Sequence, residues 1–257
     1  MAAVSYDSVA ALQHFAKRKG ITYPLLSDPD SKIIRAFGVL NDNFPRDHVW
    51  YGVPFPGTFV VDENGIIRAK YFEEDHRERY TASNILVRYF GNGTSARTEV
   101  ETKHLKLTSS ASESAVRPGN RIALALDVEP KPGMHVYGPG VEGGYIPVEW
   151  KIASSSGWLA HTEAWPPSTK LHLAAIRETA PVHRDRFRVT RDLTIGQNQE
   201  IRPLLTSSQE LVVTGSFRYQ ACDDKECYPP QTIPLQWVFR VQPHDTERAP
   251  AELRRAK

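Results

Sequence analysis

The only two cysteines in this 257-residue chain lie in Cys222-Asp-Asp-Lys-Glu-Cys227, with four residues between them in a polar stretch, which makes each the other's natural partner. Closing so short a loop removes only about 2 kcal/mol of unfolded-state entropy in the chain-entropy account. That is a modest staple for a chain of this size, so chemistry is the stronger reason to keep the pair. A redox relay needs two thiols able to close a disulfide, with one of them reachable by a partner thiolate. Exchange runs through a mixed disulfide whose rate depends on which sulfur is exposed and how stable its thiolate is. Asp223, Asp224 and Glu226 disfavour a nearby thiolate while Lys225 favours it, so charge alone predicts no strong lowering of a thiol pKa. Pro229-Pro230 fixes the chain leaving Cys227 and limits how far the loop relaxes. Two other readings remain open: an inert hairpin staple, and a zinc site, which would need further ligands although the nine histidines are scattered. No metal and no cofactor is expected.

The elements that must position this pair follow from composition and periodicity. With 40% apolar residues and this length, two domains are the natural prior. A net charge of +2, from 32 basic and 30 acidic residues spread along the chain, argues against a nucleic-acid partner or an anionic membrane surface. No apolar run approaches the roughly 20 residues of a membrane helix, so no membrane span is expected, and no export signal is visible.

In the first part, Ala2–Tyr6 reads as a strand, and Ser8 caps a helix with Leu12, Phe15 and Ala16 at helical spacing before Gly20. Asp28-Pro-Asp-Ser31 starts a second helix with Ile33, Ile34 and Phe37 on its buried face. Pro56–Asp62 and Ile66–Phe72 form a hairpin around Glu63-Asn64-Gly65, and a last helix covers Ala82 to Tyr89. In the second part, strict alternation marks Ile122-Leu124-Leu126-Val128, Leu211-Val213-Phe217-Tyr219 and Ile233-Leu235-Trp237-Phe239-Val241. Further extended stretches at 134–137, 148–152, 158–163 and 186–193 bring the strands to seven or more, enough for an immunoglobulin-like sandwich. The expected division is an incomplete α/β domain over 1–92, a linker over 93–99, the all-β sandwich over 100–244, and a flexible tail over 245–257.

The Val4-Ser-Tyr-Asp7 strand end, Pro24-Leu-Leu-Ser-Asp28 and Gly57-Thr-Phe-Val-Val-Asp-Glu-Asn-Gly65 resemble the alkyl hydroperoxide reductase and thiol-specific antioxidant (redoxin) family. The resemblance implies a thioredoxin-like fold with a cis-proline before the hairpin strand, for which Pro56 is the candidate. The family's nucleophilic cysteine would lie before Ala2. The chain is therefore read as the product of a truncated frame, and a thiol peroxidase only if that segment is restored.

Tyr219-Gln-Ala-Cys-Asp-Asp-Lys-Glu-Cys-Tyr-Pro-Pro-Gln231, together with Gly133-Met-His-Val-Tyr137, Pro147-Val-Glu-Trp150 and His183-Arg-Asp-Arg-Phe187, resembles the N-terminal periplasmic domain of the DsbD-type thiol:disulfide interchange proteins. The resemblance implies an immunoglobulin-like sandwich that relays electrons through Cys222 and Cys227, with Cys227 joined to the partner and Cys222 resolving. It places His135, Tyr137 and Tyr228 at the site, as lining or partner-contacting residues. The loop that shields the disulfide in that family corresponds to Ala174–Val182, which has one carboxylate, Glu178, and no aromatic residue. The implied partner is a thioredoxin-like oxidoreductase domain, the adjoining redoxin domain of a longer frame being one candidate, and the implied compartment is periplasmic or exported. The competing reading is a non-catalytic interaction module with a structural disulfide.

Overall fold

Ser8 turns the chain into its first helix as the spacing predicts, its side-chain oxygen accepting from the Ala11 amide at 3.3 Å. The computed structural model describes residues 1–72, 77–90, 97–173 and 178–253. Its first elements are β1 (Ala3–Ser5), α1 (Val9–Lys19), β2 (Leu25–Ser27), α2 (Lys32–Ala36), β3 (Gly57–Val61) and β4 (Ile67–Phe72). β1 pairs with β2 in parallel, and β3 with β4 as the expected hairpin. Asp62 holds the hairpin turn by accepting from the amides of Asn64 and Ile66, each at 2.9 Å. Asp28 does the same for α2, accepting from Lys32 and Ile34. The two pairs stay separate two-stranded sheets. These strands therefore form no continuous sheet of the kind the thioredoxin-like expectation calls for. Leu12 and Ile34 are buried as expected, whereas Phe15, Ile33 and Phe37 are exposed.

The bond preceding Pro56 is trans, as is every other peptide bond among the described residues, which corrects the cis-proline expectation. Val53–Phe55 already runs extended against Val39–Asn41. A trans bond continues that line directly into β3, and no tight turn demands the cis form.

The remaining elements are β5 (Arg79–Tyr80), α3 (Ala82–Phe90), β6 (Thr98–Glu101), β7 (Leu105–Ala111), β8 (Ala115–Val116), β9 (Asn120–Pro130), β10 (His135–Tyr137), β11 (Glu149–Ile152), β12 (Trp158–Ala164), β13 (Thr169–Leu173), β14 (Glu178–His183), β15 (Phe187–Ile195), α4 (Asn198–Ile201), β16 (Glu210–Tyr219), β17 (Ala221–Cys222) and β18 (Gln231–Val241). They form a largely antiparallel β-sandwich, in keeping with the immunoglobulin-like expectation. One sheet runs β12-β15-β9-β7-β6, and the facing sheet runs β11-β16-β18-β8. Alternate residues of β9, β16 and β18 meet in one core with Leu105, Leu107, Trp150, Val189 and Leu193. Each large apolar side chain so buried stabilises the fold by roughly 1.5–3 kcal/mol. Across this core the Trp237 indole donates to the Ser110 carbonyl at 3.3 Å. A third sheet, β13-β14-β10-β17, carries the cysteines.

Two compact units result: residues 1–76 with 245–257, and residues 77–244. The expected boundary after residue 92 therefore differs from what is seen. α3 packs against β9. Buried Asn84 donates to the Arg121 carbonyl and to Asp192, and Asp192 also pairs with Arg88 and Arg121. Upstream, β5 pairs with β9 in parallel, and Gly119 takes φ +74 where a Cβ would stand 2.0 Å from the Arg77 carbonyl oxygen. Of the expected linker, residues 93–96 lie outside the described residues and Thr98 already begins β6. The expected flexible tail is tied at its start, where Asp245 pairs with Arg18 at 2.9 Å and with Lys19, and Glu247 pairs with Arg18 at 2.8 Å.

Candidate functional site

Cys222 and Cys227 form a disulfide, with their Cα atoms 4.1 Å apart. Their surroundings differ sharply. Cys222 is on β17, antiparallel to β10 and directly opposite His135, and is 1% exposed. Cys227, on the far side of the turn, is exposed. The sequence suggested two thiols on a long connection; the third sheet draws one of them into a buried cluster with Tyr137, Ala180 and Val182.

The turn between the sulfurs is built around Asp223. Its Oδ1 accepts from the amides of Lys225 at 2.7 Å and Glu226 at 2.8 Å, while Oδ2 accepts from the Tyr228 hydroxyl at 2.8 Å. The Glu226 and Lys225 amides and then the Tyr228 hydroxyl push this carboxyl down to about 2. The Asp223 carboxylate is therefore committed to holding the turn. Tyr228 is half-buried and its ring stacks on His104 at 4.5 Å. The structure thus places it as a brace beneath the loop.

Tyr137 supplies the polar contact to the sulfurs. It is 1% exposed, and its hydroxyl lies 3.4 Å from both Cys222 Sγ and Cys227 Sγ. Disulfide sulfurs carry no proton, so the phenol is the donor. Burial, with a smaller contribution from Tyr145, pushes this phenol up to about 12 and keeps the proton on oxygen at every working pH. Tyr145 packs against it with ring centroids 4.5 Å apart. Sequence reasoning missed Tyr145 because it lies in the Gly-rich 138–147 stretch, which has no periodicity; an aromatic residue amid those glycines was the available signal. His135 is 1% exposed and meets Tyr137 edge-on at 5.6 Å. Burial first, then Arg184, hold its pKa below the ordinary value, with Asp224 and Asp223 acting in the opposite sense.

Of the region matched to the shielding loop, 174–182, residues 174–177 lie outside the described residues and 178–182 belong to β14. β14 pairs with β13 on one side and β10 on the other, so β10 stands between it and β17, the strand that carries Cys222. Pro56 lies in the other compact unit and is not part of this cluster. No group of three or more His, Cys, Asp or Glu side chains suited to a metal ion occurs among the described residues.

With one buried and one exposed sulfur in a single bond, the arrangement suits attack from one side. Residues 103–236, more than half of the chain, match the family described as "Thiol:disulfide interchange protein DsbD, N-terminal". The chain belongs to the DsbD N-terminal domain family. Residues 1–70 separately match the AhpC/TSA family. A protein of Mycobacterium tuberculosis named as a peroxiredoxin is 39% identical over 69 residues, covering 26% of this chain and 43% of that protein. Alkyl hydroperoxide reductase E of Mycobacterium bovis is 43% identical over 56 residues, covering 21% of this chain and 32% of its own length. The chain therefore spans less than half the length of these curated relatives. A crystal structure of the N-terminal periplasmic domain of ScsB from Proteus mirabilis overlaps 55% of this chain and 49% of its own, at 14% identity and a TM-score of 0.35. Both matched families support thiol:disulfide redox relay in general terms. No helix among the described residues is long and apolar enough to cross a membrane.

Proposed function

We propose that residues 77–244 act as an electron-relay module of an exported or periplasmic protein, Cys222 and Cys227 cycling between disulfide and dithiol against a thioredoxin-like partner. The observation that carries the reading is the asymmetry of the bond: Cys227 is exposed while Cys222 is 1% exposed. A partner thiolate approaching from solvent meets Cys227 Sγ. It forms the intermolecular bond there, and the electron pair of the broken bond leaves on Cys222. The Tyr137 hydroxyl, 3.4 Å from both sulfurs, offers a hydrogen bond to whichever becomes the thiolate. The DsbD N-terminal match supports the module's chemistry. The redoxin match over 1–70 supports a thioredoxin-like domain as the kind of partner, the redoxin domain of a longer frame included.

The test uses the oxidised full chain and a reduced thioredoxin. The wild-type disulfide should be reduced; with Cys227 first converted to its thionitrobenzoate mixed disulfide, Cys222→Ser should pass that sulfur to the thiolate of a single-cysteine thioredoxin and release thionitrobenzoate, and Cys227→Ser treated likewise at Cys222 should trap none. An oxidised chain that resists reduction at neutral pH, with Cys227 confirmed as accessible, would make the bond an inert staple.

A further inference from the structure

His135 is a buried ionisable side chain beside the disulfide that the exchange steps above leave unused. It is 1% exposed, and neither ring nitrogen has a hydrogen-bond partner among the described residues. It stands directly across the β10–β17 pair from Cys222. Residues opposite one another in an antiparallel pair project from the same face with Cβ atoms about 4.5–5.5 Å apart. Imidazole and buried sulfur therefore share one wall of the site, with Tyr137 on the same face two residues along. Buried groups without partners are costly and few in native structures. In the disulfide state Cys222 has no proton to give this ring; in the dithiol state it has one.

We propose that His135 is the base that takes the proton from Cys222 when the mixed disulfide resolves. The proposal rests on the reading that Cys227 carries the intermolecular bond. In that step a ring nitrogen of His135 accepts the Cys222 thiol proton, and the thiolate attacks Cys227 Sγ. The Cys222–Cys227 bond forms while the bond from Cys227 to the partner sulfur breaks. The electron pair leaves on the partner's sulfur, which takes up a proton from solvent or from the imidazolium. The chain's dithiol is oxidised by two electrons and the partner's disulfide is reduced by two. In the reverse direction the imidazolium returns the proton to the departing Cys222 sulfur, which burial would otherwise strand as an unsolvated anion.

The groups around the ring are arranged for this. Arg184, just beyond β14, opposes the charged imidazolium, while Asp223 and Asp224, just beyond β17, favour it; burial decides the balance towards the neutral base. Tyr137 keeps its own proton and does not compete as a base.

The experiment follows the reduced full chain with one equivalent of dithiobis(nitrobenzoate), a chromophoric disulfide. Attack by Cys227 releases one thionitrobenzoate in a first phase, and displacement by Cys222 releases the second. His135→Phe, which keeps a ring of similar shape, and His135→Gln, which keeps polarity without a titratable base, should leave the first phase unchanged. Both should slow the second phase about 100-fold at neutral pH, at the lower end of what general-base catalysis supplies. The pH profile separates this from a packing effect. The wild-type second phase should be level between the titrations of the imidazole and of the Cys222 thiol, whereas the variants should rise about tenfold per pH unit over the same interval. If His135→Phe does not fold, His135→Gln alone decides. Wild-type rate and profile in either folded variant overturn the proposal. A wild-type chain with no first phase overturns the exchange reading itself, and the base with it.

Discussion

Replacing Tyr137 by Phe removes one oxygen from the site and little else, because the ring remains packed on Tyr145 and the residue is fully enclosed. What is lost is a donor 3.4 Å from each sulfur. In the oxidised chain this is a neutral hydrogen bond, worth about 0.5–1.5 kcal/mol, whereas a bond to a thiolate is worth about 1.5–3 kcal/mol. The long contact argues for the lower end of both ranges, leaving a difference of about 1 kcal/mol in favour of the thiolate. At 1.36 kcal/mol per tenfold, the variant should form the reactive anion about fivefold less readily at neutral pH. The assay is alkylation of Cys227 by iodoacetamide in a reduced Cys222→Ser background, measured across pH with and without Tyr137→Phe. The curve for the Tyr137→Phe chain should shift to higher pH by a little under one unit and keep its shape. Superimposable curves would show that the hydroxyl does not reach the anion, and the site would lose its only neutral donor to sulfur identified among the described residues.

Two further outcomes follow from other parts of the molecule. Asp192→Ala removes the 4% exposed carboxylate that Asn84, Arg88 and Arg121 share. The variant should lose roughly 2–3 kcal/mol by denaturant unfolding, below the 3–5 kcal/mol typical of a fully buried pair because both arginines are partly exposed, and hydrogen exchange in α3 should rise before that of β9. The Asp223 turn supplies a pH signature. Its carboxyl is pushed down to about 2 from an ordinary 3.8, so the turn's contribution is complete above about 4 and is lost as pH falls towards 2. Amide resonances of Lys225 and Glu226 should move through that window and stay fixed above it, and in Asp223→Asn the dependence should vanish.

How much of this was legible follows from the range of each interaction. Alternation in β9, β16 and β18 marks half-buried strands because the side-chain period of two is a local property. The caps at Ser8, Asp28 and Asp62 are local too, since each side chain reaches amides within six residues. β7 was missed because Thr108, Ser109 and Ser110 blur its pattern, although Leu105 and Leu107 are buried. α3 was recognised as a helix but assigned to the wrong neighbour. Its period shows that it has a buried face; only Asp192, more than a hundred residues later, shows what covers it.

The cysteine pair divides in the same way. Two cysteines with four residues between them are enough to pair as a disulfide, and the resemblance of their stretch to a known relay is what points to exchange chemistry. Which sulfur faces water depends on β17 pairing with a strand some 85 residues upstream, and so do the approach of the Tyr137 hydroxyl and the placement of an unpartnered imidazole opposite Cys222. Spacing along the chain encodes contacts closed by a few backbone torsions. Burial of one sulfur and exposure of the other is a property of the assembled sheet, set by long-range pairing that no local pattern contains.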